Sequence, residues 1–101
     1  MAGRSRFTLY KRIIEELGLM QLDVYRVQEK NKIVDIVRIY DPAKNTVFMV
    51  NLDAPRESLT PLDFIEKLEK AASTAKVALP ERKLAQLKDY FSKQQALQAQ
   101  G

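Results

Sequence analysis

The sequence predicts an α+β domain in which one helix leads into a three-stranded antiparallel meander and two helices follow it. Three observations carry this reading. Apolar residues between Phe7 and Leu17 recur at helical spacing. Val and Ile crowd the stretch from Leu22 to Leu52, which two polar clusters cut into runs of strand length. Thr60-Pro61-Leu62-Asp63 then opens a second stretch of helical periodicity.

In the first helix Leu9, Tyr10, Ile13, Ile14 and Leu17 share one face, and Lys11, Arg12, Glu15 and Glu16 occupy the other. Lys11 with Glu15 and Arg12 with Glu16 are spaced to pair along the wet face, each pair worth about 0.2–0.5 kcal/mol. Gly18 follows the last periodic residue, where a left-handed cap costs glycine nothing, so the helix should stop there.

The clusters Glu29-Lys30-Asn31-Lys32 and Asp41-Pro42-Ala43-Lys44-Asn45 read as turns, leaving strands over about residues 22–28, 33–40 and 46–52. Opposed residues on antiparallel strands share a face, so charge pairing tests the register. With Gln28 opposite Ile33, Arg26 meets Asp35 and Asp23 meets Arg38, and every charge in the segment finds its opposite. Closing the second turn with Tyr40 opposite Thr46 puts Val37 opposite Met49 and Asp35 opposite Asn51. One face then carries Tyr25, Val27, Val34, Ile36, Tyr40, Phe48, Val50 and Leu52. The other carries Leu22, Val24, Ile33, Val37, Ile39, Val47 and Met49, crossed by a polar row of Arg26, Asp35 and Asn51. Both faces are too apolar to stay wet.

After a loop containing Pro55, Thr60 is placed to cap a helix with Pro61 first and Asp63 third, carrying Leu62, Ile65, Leu68 and Ala72 with Phe64 beside them. Pro80 should open a last helix bearing Leu84, Leu87, Tyr90 and Phe91. The chain of 101 residues is long enough for one core and too short for two, so residues 1–93 read as a single domain. The Gln-rich tail, 94–101, should fray. Three helices suffice to cover one face of the sheet and part of the other, and the apolar remainder predicts a partner.

Composition excludes much chemistry. The chain has no His, Cys or Trp, which removes His relays, thiol nucleophiles, disulfides and the usual zinc sites. The three glycines are Gly3, Gly18 and Gly101, so no glycine-rich phosphate loop exists. No cofactor, metal or small-molecule substrate is expected, and no enzymatic activity. No apolar run approaches the about 18 residues of a membrane span, and the start Met1-Ala2-Gly3-Arg4-Ser5-Arg6 leads into an amphipathic segment, so an intracellular, cytoplasmic location without membrane partners is expected.

Two family resemblances bear on Asp35 and on the order of elements. A helix, a strand with Asp35 in an apolar run, and a further strand about fifteen residues on resembles the core of restriction-type nucleases, which hold magnesium between carboxylates. Where that family carries an acid-x-Lys triplet, this chain has Asn51-Leu52-Asp53, without the lysine, and Arg26 is placed to pair with Asp35. Over about residues 5–75 the order helix, three strands, helix is similar to that of double-stranded-RNA-binding domains. The Lys-rich helix start and the His of that family are absent here, and shared topology implies fold and not function.

Lys and Arg number 17 against 13 acids, a formal charge of +4. Arg4, Arg6, Lys11 and Arg12 mark one terminus, and Lys30, Lys32 and Lys44 mark the two turns, a pattern that could neutralise phosphates. The tyrosines could stack on bases, although Tyr25 and Tyr40 also suit a core edge with their hydroxyls at the rim. Two functions are therefore expected. The first is a small accessory or assembly protein acting through protein–protein contact, as a homo-oligomer or a subunit of a larger complex, with Val24, Val47, Met49, Leu87 and Phe91 as candidate interface. The alternative is a nucleic-acid-binding module using the basic terminus and turns.

Overall fold

The computed structural model describes the backbone of residues 6–100 and the side chains of residues 9–95. Its elements run α1 (Arg6–Glu16), β1 (Met20–Glu29), β2 (Lys32–Asp41), β3 (Thr46–Asn51), α2 (Pro61–Thr74) and α3 (Glu81–Gln100). A 3-10 turn, Arg56–Ser58, lies between β3 and α2. The strands form one antiparallel sheet in the order β1-β2-β3, so the α+β meander with one helix before and two after is the observed fold.

Local chemistry sets the helix ends. Gly18 takes φ +80°, its N–H reaches the Glu15 carbonyl, and the Leu19 N–H reaches back to Ile14. This Schellman arrangement satisfies the last carbonyls of α1. The C-terminus of α2 repeats it, with Lys76 bonding Ser73 and Val77 bonding Ala72, but here the left-handed residue at φ +61° is Lys76. Thr60 and Asp63 form a reciprocal capping box at the start of α2, each side chain bonded to the other's amide at 3.1 Å. Helical backbone continues through the Gln-rich segment to Gln100; Ala, Gln and Leu are all good helix formers.

The β1–β2 register is the one that charge pairing predicts: Asp23 faces Arg38, Val24 faces Val37 and Arg26 faces Asp35. A bulge at Leu22 then shifts the pairing, so that Gln21 faces Ile39 and Met20 faces Tyr40. The β2–β3 register differs from the expected one by a single residue. Asp41, not Tyr40, lies opposite Thr46, which puts Val37 opposite Val50 and Ile36 opposite Asn51. The turn explains the shift. Asp41 stays in the strand while its carboxylate accepts the Ala43 N–H, and Asn45 takes φ +53°, closing the loop in four residues.

Because side chains alternate faces, that one-residue shift moves all of β3. Phe48, Val50 and Leu52 join Val37 and Ile39 in the buried core, and Val47, Met49 and Asn51 turn to the opposite side. The expected polar row is thus broken: Asn51 does not face Asp35, and its Oδ1 accepts the Asp53 N–H at 2.8 Å.

All three helices contribute to the core on that inner side. Tyr10, Ile13, Ile14 and Leu17 of the first helix, Phe64, Ile65, Leu68 and Ala72 of the second and Phe91 of the third belong to one buried cluster with the inner sheet residues. Each such large aliphatic or aromatic side chain contributes about 1.5–3 kcal/mol by leaving water. Tyr10 stacks on Phe64 with ring centroids 4.2 Å apart, and its hydroxyl lies 3.1 Å from the carbonyl oxygens of Arg56 and Leu59, tying α1 to the 3-10 turn. On the second face of the sheet Val34 is buried, while Met20, Tyr25, Val47 and Met49 remain exposed. Among the described residues no helix is long and apolar enough to cross a membrane.

Candidate protein-interaction face

The outer side of the sheet is built in cross-strand rows. Met20, Tyr40 and Val47 form the first, Asp23, Arg38 and Met49 the second, Tyr25, Ile36 and Asn51 the third, and Val27 with Val34 the fourth. Met20, Val47 and Met49 are 52%, 50% and 57% exposed, and Tyr25 is 40% exposed. Leu22, unpaired at the bulge, is also exposed. The two tyrosines belong to this face and not to the rim of the core. The Tyr25 hydroxyl lies 3.5 Å from the Met49 sulfur, and that of Tyr40 donates to Asn45 at 2.7 Å.

The charges on this face are internally matched. Arg38 grips Asp23 through two hydrogen bonds of 2.8 Å, which hold the Asp23 carboxyl below its usual range and raise the Arg38 guanidinium. Glu29 lies opposite Lys32 at the hairpin end. The result is an exposed apolar surface carrying no net charge.

Asp35, the residue on which the nuclease resemblance rests, is occupied otherwise. Its carboxylate is fully buried on the inner side and accepts four donors: Nε and Nη2 of Arg26, both at 2.9 Å, the Arg56 amide at 2.8 Å and Arg56 Nε at 3.1 Å. The Arg26 bonds dominate in holding this carboxyl below the ordinary aspartate range, and the Arg56 amide adds to them. Asp53 points elsewhere, 3.7 Å from Lys67. Among the described residues no group of three or more acids could hold a metal ion. Asp35 therefore does structural work, docking the 53–59 loop onto β2, whose backbone also bonds Ala54 and Leu52. The sequence pointed to Arg26 as its partner and gave no sign of Arg56 or of Glu57, which Arg26 also reaches at 2.7 Å.

The basic residues are dispersed. Lys30 and Lys32 lie at one end of β2 and Lys44 at the other, about 30 Å away for a strand of ten residues. Lys32 donates to the Asp53 carbonyl at 3.2 Å, Lys44 to the Lys76 carbonyl, and Lys11 lies 4.0 Å from Glu15. Glu16 pairs with Lys83 of α3 at 3.1 Å and not with Arg12, whose side chain lines a groove between α1 and α3. Arg4 and the side chain of Arg6 fall outside the described residues.

The five candidate interface residues separate into two groups. Val47 and Met49 stand together on the open face, whereas Phe91 is buried and Val24 and Leu87 pack against the core. Leu87 and Phe91 also floor the α1–α3 groove of about 400 Å³, beside Tyr90, which is 55% exposed and sits edge-on to Phe91. Comparison with known proteins adds no further constraint: no family model, no curated protein and no solved structure matches this chain.

Proposed function

We propose that this chain is a small assembly protein without catalytic activity, working through the open face of its sheet, which docks against another protein surface. The observation that supports this is the clustering of Met20, Tyr25, Val47 and Met49, each at least 40% exposed, on the outer side of the sheet, with Val34 buried at the far end of that side. Exposed apolar area of this kind is costly in water and is a common mark of an interaction surface. Matched charges suit the same role, since an unpaired charge buried at an interface carries a large penalty. The nucleic-acid alternative has no comparable support, because the described turn lysines lie at opposite ends of the sheet and two of them bond backbone carbonyls.

Site-specific photocrosslinking in the source cells tests the proposal. A photoreactive residue at position 49 or 25 should capture the same identified protein, and one at the exposed Ala78 should not. Capture at Ala78 alone, or at none of the three, would contradict it.

A further inference from the structure

We infer that the occupant of the open face is a second copy of this chain, packed sheet against sheet. This rests on the proposal that the face is an interface, and it adds the identity of the partner. Two properties of the face select a second copy.

The first is charge. The chain carries +4 overall, yet this face is neutral, with Arg38 already held by Asp23 and Glu29 opposite Lys32. A strongly acidic or basic partner finds no free counter-charge here. A second copy brings the same closed Asp23–Arg38 pair, so apolar rows can meet without stranding a charge, and each pair can also exchange partners across the contact.

The second is size. Strands of ten, ten and six residues, at about 3.4 Å per residue and about 4.8 Å spacing, present about 400 Å² in projection. With Val34 already buried, two such faces, with the relief of their side chains, remove at most about 1,000 Å² of accessible surface, the lower bound for a specific contact. A self-complementary face of this kind closes as a two-fold dimer. Since both copies are positively charged, their association should tighten as salt rises, opposite to the behaviour of phosphate binding.

Sedimentation equilibrium of the purified chain, with salt as a variable, tests this. The wild type should sediment at twice its 11.6 kDa mass and more tightly at higher salt. The combined Val47→Lys and Met49→Lys variant should be monomeric, its dissociation constant raised about 100-fold or more, with an unchanged circular dichroism spectrum. Asp23→Arg and Arg38→Asp should each weaken self-association, and a mixture of the two variants should form the heterodimer. A wild type that stays monomeric at about 100 μM, well above the affinities of stable dimers, would overturn the second copy as occupant. That result leaves crosslinking at position 49 to decide whether the face binds another protein. A dimer indifferent to Val47→Lys and Met49→Lys but dissolved by Tyr90→Lys would overturn it too, by placing the contact on α3.

Discussion

Arg26 and Asp35 face each other across the first two strands through two parallel hydrogen bonds of 2.9 Å, and the Asp35 side chain is fully buried while that of Arg26 stays 39% exposed. The asymmetry has consequences for the two residues. Asp35 also holds the amide and side chain of Arg56, so it joins the sheet to the loop that precedes α2.

Replacing Asp35 should therefore cost more than replacing Arg26. Asp35→Asn leaves the Arg26 and Arg56 donors facing a neutral amide and is expected to cost roughly 3 kcal/mol. Arg26→Met leaves Asp35 with Arg56 and should cost less. In chemical denaturation the double variant should lose less stability than the sum of the two single changes; strict additivity would show that the pair is not coupled.

Acid should act through the same carboxylate. The folded pKa of Asp35 lies below the ordinary aspartate value, chiefly because of Arg26. Its stabilising contribution is then fully present above the unfolded value of about 3.9 and is lost as pH falls through the lower folded value. Urea midpoints should stay level from pH 7 to about 5 and drop below about 4. Asp35→Asn should flatten that acid limb, leaving the smaller, salt-sensitive contributions of the exposed Asp23 and Glu57. An acid limb of undiminished depth in Asp35→Asn would contradict the assignment.

The two Schellman caps predict opposite outcomes for opposite substitutions. Lys76→Gly relieves a side chain held at φ +61° and should raise stability by about 1 kcal/mol. Gly18→Ala meets no atom within 4 Å, so its cost, about 1 kcal/mol, should come from the backbone at φ +80° alone. Thermal melts of both variants check the pair.

Phosphate binding, where it occurs, should be weak and shallow in salt. With Lys32 and Lys44 already bonded to backbone carbonyls, the three turn lysines can neutralise at most three phosphates, and duplex affinity should fall with log salt by a slope no steeper than about −3. A slope of −4 or steeper in a fluorescence titration would restore the nucleic-acid reading.

What could be read from the sequence follows from where the charges lie. The first hairpin carries Asp23, Arg26, Asp35 and Arg38, and only one register satisfies all four. The third strand offers Val47, Phe48, Met49 and Val50 in succession, with no charge to pair and apolar residues at both parities. Periodicity could not distinguish its faces, and the register hung on whether Asp41 belonged to the turn or to the strand. The Asp41 contact to Ala43 and the left-handed Asn45 settle that in the structure, and both are turn features that Asp and Asn favour. Val47 and Met49 were expected to lie beside Val24, and the shift separates them from it. Arg56 stayed hidden because its bond to Asp35 spans 21 residues and comes partly from the backbone, which leaves no trace in side-chain pattern. Tyr10 was legible as a core residue, but not as the latch on the carbonyls of Arg56 and Leu59.

The central claim, that the outer face of the sheet is covered when the protein works, is tested most directly by hydroxyl-radical footprinting. Met20 and Met49, 52% and 57% exposed on that face, are compared with Tyr90, 55% exposed on α3, in intact cells and in dilute purified protein. Each residue is measured against itself in the two states. Met20 and Met49 should be strongly protected in the cell while Tyr90 keeps its reactivity. Equal reactivity of Met49 in both states would contradict it.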